Sequence, residues 1–101
     1  MPKVIYTKPA TLDLREIRNY IKKDNEPAAR NLINAIREKC VTYSLRPYIG
    51  QESEEYGAGV RRFPHGNYVV FYRPIDDGIA IVHVFHGARN LPDAFRSEGQ
   101  E

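Results

Sequence analysis

The chain has 101 residues, with 15 Lys/Arg against 13 Asp/Glu and a net charge of +2, which allows one small domain with a single modest core. One cysteine excludes an internal disulfide, and the absence of a long apolar run, together with an opening MPKVIYTKP that has no apolar leader segment, makes a cytoplasmic protein without a membrane partner the expectation. Three histidines without HExxH-type spacing give no metal site, and no cofactor is expected.

The charge is unevenly spread. Residues 3–49 carry ten Lys/Arg and five Asp/Glu, whereas Glu52, Glu54, Glu55, Glu98 and Glu101 pull the other way. A solvated helical face accounts for that excess, and it is small for direct nucleic-acid binding; an acidic protein partner suits it as well.

Lys3 to Thr7 alternates and is rich in β-branched and aromatic residues, so it reads as a first strand whose place in the sheet is open. Pro9 then suits the first turn of a helix, in which Ala10, Leu14, Ile17 and Ile21 form one apolar stripe. The break at Lys23 to Pro27 offers Asn25 as an N-cap, and the second helix buries Ala29, Leu32, Ile33, Ile36, Cys40 and Tyr43 before Arg46 to Gly50 ends it. Cys40 lies in phase with that stripe and reads as buried filler rather than a nucleophile. The short break makes the pair an antiparallel hairpin.

Gln51 to Gly59 is the longest irregular stretch and is expected to be a mobile loop. Three strands follow: Val60 to Phe63, then Tyr68 to Arg73, then Ile79 to His86, joined by Pro64 to Asn67 and by Pro74 to Gly78 as an antiparallel meander. Strict alternation places Ile79, Ile81, His83 and Phe85 on one face of the last strand and Ala80, Val82, Val84 and His86 on the other. Both faces of the sheet are apolar, so one needs the hairpin as a cover and the other a partner. Residues 91–101 are expected to form a terminal turn and tail. The fold class is α+β, one domain over 1–101 in the order β-α-α-β-β-β, with the helical hairpin on a small, mainly antiparallel sheet.

With these elements in view, the sequence resembles the ParE branch of the RelE/ParE toxin superfamily. The likeness runs through A-x-x-D-L-x-x-I-x-x-Y-I at Ala10 to Ile21, N-x-x-A-A-x-x-L-I-x-x-I at Asn25 to Ile36 and R-P-x-x-G at Arg46 to Gly50. It continues in R-R-F at Arg61 to Phe63, N-Y-V-x-F-Y-R at Asn67 to Arg73, D-D-G-I-x-I at Asp76 to Ile81 and H-G-A-R-N at His86 to Asn90. The resemblance implies a growth-inhibiting toxin, of the plasmid-stabilising kind, that poisons DNA gyrase and is neutralised by a ParD-like antitoxin. It would meet operator DNA only indirectly, through that antitoxin. Candidate target contacts are Arg61, Arg62, Arg73, His86 and Arg89, and candidate antitoxin contacts are Val70, Tyr72, Val82 and Val84.

The competing branch, RelE-like, cleaves messenger RNA on the ribosome. Such chemistry needs an acid, a base and cations for the phosphorane charge, for which His86, Tyr72 and Arg62 are the candidates. Strand phase places Arg61 and Arg62 on opposite faces, and likewise His83 and His86, so no clustered site is evident. A third reading is an attenuated toxin that acts only as a corepressor. The resemblance favours the gyrase poison.

Overall fold

Thr7, through its backbone N–H and its side-chain hydroxyl, fixes the beginning of the fold. In the computed structural model, which describes residues 2–87, the first strand β1 (Lys3–Tyr6) ends at Thr7, whose backbone N–H donates to the Ile81 carbonyl at 3.1 Å. The Thr7 hydroxyl donates to the same carbonyl at 2.8 Å and accepts from the Ala10 N–H at 3.3 Å, so one residue both extends the strand ladder and caps the next helix. Pro9 lies in the first turn of that helix, α1 (Lys8–Lys22), as its fixed φ and missing donor dictate. Asn25 caps α2 (Glu26–Leu45) by accepting from the Ala28 N–H at 3.0 Å.

After a 3-10 turn at Pro47–Ile49 the chain forms β2 (Gln51–Glu52), a second 3-10 turn at Glu54–Tyr56, β3 (Arg61–His65), β4 (Tyr68–Ile75) and β5 (Gly78–His86). The five strands lie in the order β1-β5-β4-β3-β2; β1 runs parallel to β5 and every other pair is antiparallel. The expected α+β architecture is therefore present, with one strand more than the sequence announced. Gln51 and Glu52 pair with Arg62 and Arg61, so the stretch expected to be a loop supplies an edge strand and a helical turn.

The first strand takes the far edge beside the last. A side chain at Gly78 would run into the Lys3 backbone, so glycine is what lets β1 approach closely enough to pair.

The hairpin covers one face of the sheet. Ala10, Leu14, Ile36 and Cys40 from the helices meet Phe63, Val70, Tyr72, Ile79, Ile81 and Val84 in the main core. Each large side chain buried there contributes roughly 1.5 to 3 kcal/mol of transfer free energy before chain entropy is subtracted. On the opposite face Val60, Phe71 and Phe85 form a smaller cluster with Tyr56, Val69 and Val82 packed against it; the Tyr56 and Phe71 rings stand 4.9 Å apart.

Strict alternation fails in β5. Phe71 pairs with His83 and Tyr72 with Ile81, which leaves Val82 without a partner as a β-bulge. The extra residue reverses the phase beyond it. Val84 joins Ile79 and Ile81 beneath the helices, and Phe85 crosses to the second cluster. The strand was readable, but the faces of its second half were not.

Candidate functional site

The polar residues nominated from sequence divide among three places, and a fourth gathers residues that were not nominated. Arg61 and Tyr72, opposite each other on β3 and β4, both reach the turn after α2. Arg61 Nη1 donates to the carbonyls of Tyr48 at 2.9 Å and Gly50 at 2.8 Å, while Nη2 meets a Glu52 carboxylate oxygen at 3.3 Å. The Tyr72 hydroxyl donates to the Pro47 carbonyl at 2.7 Å and accepts from the Gly50 N–H at 2.9 Å. Burial raises the Tyr72 pKa above the ordinary phenol value, with the Gly50 N–H opposing. A methyl group at Gly50 would collide with the Tyr72 ring and hydroxyl. The Arg46 to Gly50 motif is thus a turn docked onto the sheet by a phenol and a guanidinium.

Arg62 and Arg73 lie on the second face. The Arg62 guanidinium sits 5.9 Å from the centre of the Tyr56 ring, and Arg73 Nε donates to the Ala58 carbonyl at 3.0 Å. Each holds part of the 51–59 segment while keeping its head near the surface.

At the end of β5, exposed His86 stands edge-on to Tyr68 with ring centroids 5.3 Å apart. Their rings border a groove of about 460 Å³ between α1 and the sheet, lined also by Asp13, Ile17 and Tyr20. Asp13 is a structural residue there. Its Oδ2 accepts from the Val84 N–H at 3.0 Å and lies 2.8 Å from His83 Nδ1, so a helix carboxylate closes the sheet edge that β1 leaves open.

The fourth place is absent from the sequence reading. Arg15 and Arg18 of α1 and Arg37 of α2 line a cleft of about 320 Å³ with Leu14, Ile33 and Tyr6. The Arg37 guanidinium lies 5.0 Å from the centre of the Tyr6 ring. Tyr6 also shares a side-chain hydrogen bond with Cys40; burial pushes the Cys40 thiol up to about 11 and holds the Tyr6 hydroxyl protonated well beyond the usual phenol range. The signal in the sequence was Thr11, Arg15 and Arg18, a polar stripe one residue behind the buried one.

This placement corrects two sets of expectations. His86, Tyr72 and Arg62 do not converge: the Tyr72 side chain is buried with its hydroxyl committed to Pro47 and Gly50, and Arg62 is on the other face of the sheet. Val70, Tyr72 and Val84 are fully buried under the hairpin, and the bulged Val82 packs on the opposite face, so these four do not form one contact surface. Arg89 and the terminal turn lie outside the described residues. Among the described residues no group of three His, Cys, Asp or Glu side chains could hold a metal ion, and no helix is long and apolar enough to cross a membrane.

A family model described as the ParE toxin of the type II toxin–antitoxin system parDE matches residues 4–91. The chain belongs to the ParE toxin family. It is a ParE-type toxin of a type II toxin–antitoxin system. Two solved structures have the same fold as this ParE-family chain. One, the chromosomal ParDE TA system from P. aeruginosa, superposes with a TM-score of 0.69 at 21% identity over 85% of this chain and 96% of the other. The second is the toxin–antitoxin complex RelBE2 from Mycobacterium tuberculosis, with a TM-score of 0.62 at 24% identity over 85% and 99% of the respective chains. No curated protein sequence matches.

Proposed function

We propose that this ParE-family toxin poisons DNA gyrase in the cytoplasm and is silenced by a ParD-like antitoxin. Gyrase is favoured over messenger RNA as the target by one observation above all: the Tyr72 hydroxyl, which a ribonuclease would spend on proton transfer, is buried and holds the Pro47–Gly50 turn. A group with both hydrogen-bonding functions taken up inside the fold has neither the access nor the freedom that general acid–base work requires. The surface offered to gyrase is the second sheet face, where Arg62 and Arg73 bracket the 51–59 segment. His86, on the α1 side of the sheet, is a further candidate contact outside that surface, and Arg89 is another candidate. The antitoxin takes the hairpin side, where Leu12, Tyr20 and Val41 are exposed apolar residues. A segment that folds over such a surface is an ordinary mode of recognition.

The test is a supercoiling and cleavage assay with purified gyrase, adding toxin with and without antitoxin. Accumulation of linear, gyrase-bound DNA that the antitoxin prevents is the expected result. Gyrase unaffected at high toxin concentration, with messenger RNA cleaved on ribosomes, transfers the activity to the ribonuclease reading. Inactivity in both assays with the antitoxin still bound leaves a corepressor.

A further inference from the structure

We infer that the cleft between the two helices is a carboxylate receptor, which takes an acidic side chain from the antitoxin segment that docks on the hairpin. This rests on the antitoxin reading above and adds the chemistry of its anchor point. Arg15 and Arg18 stand three residues apart on α1, so their side chains share a face, and Arg37 approaches from α2. Among the described residues, none of the three is in an ion pair, and all three are exposed. Like charges gathered round one concavity repel each other. An anion seated among them removes that repulsion and accepts the forked donors that guanidinium groups present.

The shape selects a carboxylate on a peptide over a nucleic-acid backbone. Leu14 and Ile33 give the cleft an apolar lining suited to the methylene stem of a glutamate. The whole chain carries a net charge of only +2, too little for a track of phosphates. The Tyr6 ring holds the Arg37 guanidinium over the cleft before any partner arrives, which lowers the ordering cost of binding.

The experiment measures the dissociation constant of the toxin–antitoxin complex at two salt concentrations. The toxins compared are the wild type, Arg18→Gln/Arg37→Gln, Arg15→Gln/Arg18→Gln, and Lys22→Gln/Lys23→Gln, which removes the same charge outside the cleft. The second cleft variant leaves the Arg37–Tyr6 contact intact, and thermal unfolding verifies that each variant is folded. Both cleft variants are expected to bind more than about tenfold more weakly with a shallower salt dependence, and the lysine variant within about twofold of wild type. Equal losses in all three variants, or none, overturn the cleft assignment while leaving the antitoxin as partner. Wild-type toxin that binds no antitoxin at all overturns both. Tighter binding of a DNA duplex to the wild type than to the cleft variants would replace the peptide by nucleic acid and also overturn the inference.

Discussion

Arg61 and Tyr72 face each other across β3 and β4 and grip the same turn, one through the carbonyls of Tyr48 and Gly50, the other through the Pro47 carbonyl and the Gly50 N–H. Tyr72→Phe leaves the buried Gly50 N–H and the half-buried Pro47 carbonyl without their partner, and it is expected to destabilise the fold by about 1 to 3 kcal/mol in urea denaturation. Gly50→Ala should cost at least as much through its collision with the ring. Loss of toxicity in Tyr72→Phe that follows the loss of folded protein would mark a scaffold residue. A folded variant of unchanged stability with no toxicity would contradict this assignment.

Val70 distinguishes the core from the docking surface. It is 0% exposed, so Val70→Glu places a charge in the main core and is expected to cost on the order of 4 kcal/mol, which prevents folding rather than selectively weakening a complex. Tyr20→Glu, at a residue 72% exposed, should leave the unfolding midpoint nearly unchanged while weakening antitoxin binding. Circular dichroism of the two variants side by side checks the first statement, and titration with antitoxin the second.

Asp13 closes the edge of β5 where β1 has ended. Asp13→Ala frees the Val84 N–H and removes the partner of His83 Nδ1, with an expected loss of about 1 to 3 kcal/mol. Amide hydrogen exchange reads the effect directly: the Val84 amide should exchange faster in Asp13→Ala, and Asp13→Asn, which retains an acceptor oxygen, should recover part of the protection. An unchanged exchange rate would mean that the carboxylate does not protect this edge.

The thiol of Cys40 makes stability fall in alkali. Its value rises from 9.0 to about 11 on folding because burial disfavours the thiolate, so the unfolded chain loses its proton first. The contribution is complete below pH 9 and is lost as pH climbs to about 11, at most roughly 3 kcal/mol. Tyr6, raised for the same leading reason, adds a loss beginning near its ordinary value of 10.0. Urea denaturation between pH 8 and 11 should show the decline, and Cys40→Val should remove its first part.

The helices were legible because their information is local. Ala10 and Leu14 recur with the helical period, and Asn25 carries its capping oxygen three residues before the N–H it accepts. The second half of β5 was illegible for a physical reason. Val82, Val84 and Phe85 are all apolar, so either phase satisfies the pattern, and the bulge that decides between them exists only once β4 is alongside. Tyr72 was assigned from sequence to a contact surface or to acid–base work, because its service to Gly50 depends on a turn distant in sequence. The arginine cleft was missed because Arg37 joins Arg15 and Arg18 only through the hairpin's packing, and no linear motif records that meeting.

The pairing of β1 with β5 also sets a clock. Lys3 lies beside Gly78 and Tyr6 beside Ile81, so β1 is paired only once β5, the last of the five described strands to be synthesised, has been made. A ribosome adding about 5 to 20 residues per second exposes the helical hairpin for several seconds before the strand that covers its apolar stripe emerges. The nascent toxin therefore presents its stripe to any neighbour that recognises it before it has a finished fold. Ribosome-stalled chains ending before Gly78 should remain protease-sensitive through residues 8–45, and chains long enough to expose His86 outside the exit tunnel should not; equal sensitivity in both would remove this order of events.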